Sequence, residues 1–268
     1  MWAIDPAQVS QAQKRRALSL GVTVFENSPI LAIRKFTHTT GGFRVLTPQG
    51  CLTAGKLVLA ADAFAPVVPA IANRMTPGAT YFVRTESLSE AQLATIGWSG
   101  REALEDSADE TYSYHLDAVN RLVMGGTPPD AALCHHPSRA HDPSLWREVE
   151  NHIRWLWPQL HDLQVVDRWG GPYWATMGLV PALGYVGEDR GAVYGFGSLA
   201  QSATTSSLNG EVLAELLLVG YGELARRCPF LNRRMVRWPP NGAAVEGAFR
   251  SYRVSQDGVV DGSLSSIS

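Results

Sequence analysis

The chain has 268 residues, of which 45% are hydrophobic and 18% charged, and its formal net charge is −2 at pH 7. This supplies enough apolar material for a sizeable core and excludes a disordered chain, while the mild acidity and the lack of a basic block weigh against nucleic-acid binding. The oiliest stretch, residues 212–219, falls short of the ~20 residues of a membrane span and is broken by Glu215. Three cysteines, Cys51, Cys134 and Cys228, are too scattered for a disulfide framework or a zinc site. The amino terminus lacks the basic-then-apolar layout of a signal peptide. A soluble protein of a reducing, cytoplasmic compartment is expected.

A helix is predicted to open the chain: Asp5 is a good N-cap, Pro6 suits the first helical position and Gly21 suits the stop. Short β-type runs follow at residues 22–25, 30–33 and 43–47, with turns at Gly41-Gly42 and Pro48-Gln49-Gly50. Residues 56–61 are so continuously apolar after Lys56 that they predict a strand buried on both faces of a layered sheet. Beyond Pro66 the texture changes. Strands are predicted at 81–85, 112–114 and 121–126, a loop at 130–142, and a helix at 144–157 carrying Leu145, Val149, Ile153 and Leu156 at helical spacing until Pro158 ends it. Residues 165–171 continue this second region. The first texture returns at 192–197, followed by a helix from about Ser202 to Val219 that Gly220 stops, and then a surface tail. The predicted class is α+β: a layered α/β domain interrupted over residues 75–185 by an antiparallel domain with helices. Their junction is the expected cleft.

The sharpest local signal is strand, glycine turn, helix at 193–205. Gly195, Gly197 and Ala200 match G-x-G-x-x-A, in which glycines let backbone N–H groups approach a phosphate at a helix N-terminus. A standard dinucleotide fold needs a second parallel strand bearing an acid about 20 residues later, and here Gly220 and Arg226-Arg227 follow instead. The segment therefore reads as a unit closing an existing sheet, its helix N-terminus free to face a phosphate or ring oxygen. Trp169, Tyr173 and Trp174 beside Gly170 and Gly171 suit the wall of a planar-ligand pocket, with a plain aromatic core as the open alternative. Tyr112 and Tyr114 share one face of a strand and His115 points away from them. No metal site is expected, since Cys134, His135 and His136 are adjacent residues without a second ligand cluster. No nucleophile elbow, P-loop, CxxC or HExxH occurs, and no catalytic base is assigned.

In this order the segments resemble the FAD-dependent oxidoreductases of the D-amino-acid oxidase superfamily, on the branch of γ-glutamylputrescine oxidoreductase-like enzymes. Four stretches carry the resemblance: Asp5-Pro6 through Gly21 to Glu26; Gly50 to Asp62-Ala63; Thr85 to Leu88 with Ile96 to Trp98 and residues 121–126; and Trp169-Gly170-Gly171 through Pro181 and Gly184 to residues 197–216. The resemblance implies an incomplete FAD-binding-type domain at 1–74 and 186–225, a substrate-binding-type domain at 75–185, and a surface tail at 226–268. It implies FAD contacts at Ile30, Ala60, Ala61, Gly197, Ser198, Leu199, Ala200, Gln201 and Ser202, and a pocket of Tyr112, Tyr114, Trp169, Tyr173 and Trp174. It further implies oxidation of an amine or amino acid by hydride transfer to flavin.

Two departures qualify what the resemblance implies. The family's opening strand, G-x-G-x-x-G turn and ribose-binding acid have no counterpart in these residues, so FAD retention by this chain alone is expected to be poor and a polypeptide supplying the dinucleotide-binding unit is an expected partner. The family's G-x-x-G-H-G turn falls on Gly197 to Ser202, with two glycines and the histidine replaced, and its T-x-D-x-x-P reads Thr176 to Pro181 without the acid. A non-catalytic relative serving as a binding or partner subunit is the alternative expectation, and a cofactor-free enzyme reusing the cleft a third.

Overall fold

Asp5 accepts hydrogen bonds from the Ala7 and Gln8 amides, and Pro6 opens helix α1 (Pro6–Ser19), which Gly21 ends in a left-handed conformation (φ 84°). A computed structural model describes residues 5–36, 41–62, 74–98, 100–106, 112–127, 141–176, 180–186, 189–197 and 202–232. No residue of α1 is buried. Residues 22–25, predicted as a strand, join no ladder, and Val22, Val24 and Phe25 stay exposed. Their β-type composition is real, but a strand needs a hydrogen-bonded neighbour, and none stands beside it among the described residues.

Strands β1 (Ala32–Phe36), β2 (Gly42–Thr47) and β3 (Gly50–Ala54) form an antiparallel meander, with Thr47 paired to Gly50 across the predicted turn. The first of these begins two residues later than the 30–33 run, although the Leu31 amide already donates to the Leu46 carbonyl. Strand β4 (Leu57–Leu59) leaves this meander and joins another sheet.

The largest sheet is antiparallel. A long pair, β5 (Met75–Ser87) and β9 (Val165–Thr176), is extended on the far side of β5 by β8 (Arg121–Gly126), β7 (Tyr112–Leu116) and β6 (Leu104–Glu105). Helix α3 (Pro143–Leu156), capped by Asp142, lays Leu145, Val149 and Ile153 on one face of it, against Tyr81, Val83, Leu122 and Met124. The predicted helical spacing is the reason: those residues share one stripe. Each such burial contributes about 1.5–3 kcal/mol. Helix α2 (Glu90–Ile96) was not foreseen; Ser89 and Gln92 form a reciprocal capping box and Gly97 closes it at φ 65°.

The third sheet has the order β10-β11-β4, with β10 (Ala182–Val186) antiparallel and β4 parallel to β11 (Asp189–Phe196). Helix α4 (Ser202–Leu218) packs Val212, Leu213 and Leu216 over Leu183 and Val193. Gly195 permits that closeness, because a Cβ there would sit 2.9 Å from Leu213 Cδ1. A short helix, α5 (Glu223–Arg227), is held by Glu215, which accepts from the Leu224 and Ala225 amides. The expectation that residues 56–61 are buried on both faces is corrected. Leu59 is buried but Val58 is 48% exposed, because α4 covers β11 and β4 is the edge. Leu59, Met75, Trp174 and Phe196 form one cluster joining this third sheet to the five-stranded one. The class is thus α+β, as predicted, and no helix among the described residues is long and apolar enough to cross a membrane.

Candidate functional site

The C-terminal ends of the parallel pair β4 and β11 open on a glycine turn. Their register runs Leu57↔Ala192, Val58↔Val193 and Leu59↔Tyr194, then the ladder stops. Gly197 follows with φ 74°, and α4 begins at Ser202. In open sheets with parallel strands this end of the strands, beside a helix N-terminus, is where ligands bind. A Cβ on Gly197 would lie 3.1 Å from Thr176 Cγ2, so the turn is also narrow on the side of β9. Asp62 reaches across to this turn, its Oδ1 accepting from the Gly197 amide at 3.0 Å. Burial pushes the Asp62 carboxyl above its ordinary value, with the Gly197 amide opposing.

Among the sequence-derived contacts, Ala60 is exposed, Ala61 is half-buried against the joining cluster, and Ile30 is exposed ahead of β1. Ala61 and Gly197 are thus brought to the same end of the parallel pair. Ser198, Leu199, Ala200 and Gln201 lie outside the described residues, and Ser202 is the first residue of α4.

The face of the five-stranded sheet away from α3 carries a second group of the predicted residues. Strand alternation and register put Thr80, Phe82 and Arg84 of β5 on this face beside Asp167, Trp169, Gly171 and Tyr173 of β9. Phe82 and Trp169 stack with centroids 5.6 Å apart and planes 10° from parallel. Phe82 lies over Gly125 and Tyr173 over Gly78; a Cβ at either glycine would come within 2.5 Å of the ring. Nothing stands within 4 Å of a Cβ position on Gly171. The result is a floor at Gly171, a stacked pair on one side and a tyrosine on the other. Arg84 donates through Nε to Asp167 Oδ2 at 2.8 Å and through Nη2 at 2.5 Å. His115 shares this face, and burial pulls its imidazole below the ordinary value against the pull of Asp117. Trp174 and Thr176, at the end of β9, alternate onto the opposite face, and Thr176 is the residue that meets the glycine turn.

Of the five predicted pocket residues, Trp169 and Tyr173 are brought together. Tyr112 and Tyr114 do share a face, as alternation requires, but it is the face under α3: Tyr112 is buried against His152, and Tyr114 packs edge-on to Trp98 and Trp157. Trp174 points into the joining cluster. The structure thus places these three apart from the Phe82 and Trp169 pair, since alternation fixes shared faces but not which face a helix covers. Phe82 and Thr80 were not among the predicted pocket residues; Phe82 alternates with Arg84 on the strand predicted at 81–85, and Thr80 lies one residue ahead of that run. Among the described residues no group of three or more His, Cys, Asp or Glu side chains could hold a metal; Cys134, His135 and His136 lie outside them.

A glycine turn and a helix N-terminus at the open end of a parallel pair, in an α+β fold whose largest sheet is antiparallel, define the class of this protein. The chain belongs to the FAD dependent oxidoreductase family, whose pattern matches residues 1–216. It is 31% identical over 200 residues to the gamma-glutamylputrescine oxidoreductase of Escherichia coli (strain K12), a match covering 74% of this chain and 43% of that protein. Its fold is similar to glycine oxidase from Geobacillus kaustophilus, with a TM-score of 0.67, 20% identity, and coverage of 85% of this chain and 57% of the other. L-proline dehydrogenase from P. horikoshii gives 0.68, 19%, 82% and 57%. The chain spans about half the length of the curated relatives it matches.

Proposed function

We propose that this chain is the C-terminal portion of a cytoplasmic FAD-dependent oxidoreductase that oxidises an amine or amino acid, and that it works with a polypeptide supplying the dinucleotide-binding unit. The single observation carrying this reading is the glycine turn at the end of β4 and β11, set against Thr176 at the end of β9. The residues fit the ring side of such a cofactor: the left-handed Gly197, crowded by Thr176, leaves bare backbone where a planar group would approach. Ala61 and the backbone from Gly197 to Ser202 would hold it, with residues 1–74 and 186–225 acting as the cofactor-side domain and 75–185 as the substrate side. A flavin held there would supply the hydride acceptor that amine oxidation needs. Trp169 and Phe82 offer π faces to an alkylammonium, Gly171 leaves it floor space, and the rings exclude water. Arg84 is already engaged by Asp167, so a substrate carboxylate meets no uncompensated guanidinium there, which favours an amine over a free amino acid.

The test is FAD titration of the 268-residue chain, followed by flavin absorbance, with and without a supplied N-terminal dinucleotide-binding fragment of a relative. Stoichiometric flavin with the fragment, bleached by amine, is expected. No flavin uptake in either arm would overturn the reading. A second reading, a non-catalytic partner subunit, is favoured by the substituted turn, which carries Ala200, Gln201 and Ser202 where the family pattern has glycine, histidine and glycine. It predicts uptake without bleaching.

A further inference from the structure

Asp62 occupies a position that a side chain adopts only at a cost. Its φ is 33°, left-handed backbone at a residue with a Cβ, and such outliers persist where the surroundings over-determine them. The register explains what it gains. Continuing Leu57↔Ala192, Val58↔Val193 and Leu59↔Tyr194 by three residues sets Asp62 opposite Gly197. The backbone ladder has stopped by then, and the Asp62 carboxylate supplies the missing acceptor for the Gly197 amide at 3.0 Å. Two left-handed residues, one beyond each strand of the parallel pair, are tied by this one bond. It closes a fork that otherwise opens between β4 and β11.

The price of this arrangement is a half-buried carboxyl group one residue beyond Ala61, which packs on the apolar cluster of Leu59, Trp174 and Phe196. Burial raises its proton affinity, so the group is not there for solubility. We propose that Asp62 is a positioning residue of the cofactor turn: it holds the Gly197 amide and thereby fixes the end of β11 from which the turn leaves. Its role is to fix the turn before a ligand arrives, which spares binding the cost of ordering it. This rests on the reading of the turn as the ring-side contact, so the experiment carries one readout that needs no flavin.

Three full-length variants separate the causes. Asp62→Asn keeps an acceptor oxygen, Asp62→Ala removes it, and Asp62→Gly removes it while relieving the left-handed strain, so it folds if the alanine variant does not. Without cofactor, amide hydrogen exchange at Gly197 is expected to quicken about tenfold or more in the alanine and glycine variants, the scale of one lost charge-assisted bond. In the asparagine variant it should stay within about threefold. With the dinucleotide-binding fragment supplied, flavin affinity should follow the same order, with asparagine rescuing what alanine and glycine lose. Unchanged exchange in Asp62→Gly, or failure of asparagine to rescue, overturns the proposal. Absence of flavin binding by the native chain in that assembly sinks the cofactor reading instead, and the exchange result alone then decides whether Asp62 holds the turn.

Discussion

Thr85 is 1% exposed, and both functions of its hydroxyl are satisfied: it donates to the Glu86 carbonyl at 2.8 Å and accepts from the Leu122 amide at 3.1 Å. The reason lies in the ladder between β5 and β8, whose register shifts between Arg84 and Ser87. A shift of register leaves an amide without a backbone partner, and a buried unpaired amide costs about 1–3 kcal/mol. Thr85 fills that gap with a side chain, as Asp62 does at the end of β4. Thr85→Val keeps the volume and removes the acceptor, so urea unfolding should give a midpoint lowered by about 1–3 kcal/mol of stability with an unchanged denaturant slope. A loss below about 0.5 kcal/mol would mean that water or backbone adjustment rescues the Leu122 amide.

The hairpin of β7 and β8 is locked by Asp117, and its dependence on acid follows from that lock. Asp117 Oδ1 accepts from the Val119 and Arg121 amides, each at 2.9 Å, and Oδ2 accepts from Arg121 Nε at 2.8 Å. Burial alone would raise its proton affinity, but the bonds and charge of Arg121 and the Val119 amide outweigh it, and the carboxyl is held below 3.8. A lowered value in the folded state means a contribution fully present above the ordinary carboxylate range and lost as pH falls through the folded value. Amide exchange at Val119 and Arg121 should therefore accelerate on acidification below about pH 4, and Asp117→Asn should remove most of that dependence. Elements of this kind differ in how far the sequence displays them. The stripe of Leu145, Val149 and Ile153 was readable because a helical period is local. The capping box of Ser89 and Gln92 with Gly97 was equally local and pointed to α2, but its seven residues are too short for a periodic signal. The run at 22–25 was misread because strand formation depends on a neighbour, which no single segment encodes. The site divides in the same way: the glycine turn stood out in the sequence, whereas the pairing of Phe82 with Trp169 and of Asp62 with Gly197 depends on registers between segments 87 and 135 residues apart.

At the scale of the whole molecule, the described apolar surface is lopsided. Strand β4 has β11 as its only partner strand among the described residues, so its other edge meets no strand there, and Val58 on it is exposed. Along the first 31 residues, Leu18, Leu20, Val22, Val24, Phe25, Ile30 and Leu31 are all exposed as well, and α1 buries nothing. Scattered single apolar residues on a surface need no explanation, but a short edge strand without a charge and a dense apolar segment invite pairing with another chain. The dinucleotide-binding unit proposed as partner would cover both. The isolated chain is accordingly expected to self-associate with rising concentration in sedimentation velocity. Val58→Lys, which sets a charge on the open edge, should shift the population toward monomer, and a supplied dinucleotide-binding fragment should do so more completely. A native chain that stays monomeric at about 100 μM, a concentration at which exposed strand edges commonly associate, would mean that this edge needs no cover, and the proposed partner would lose its docking place.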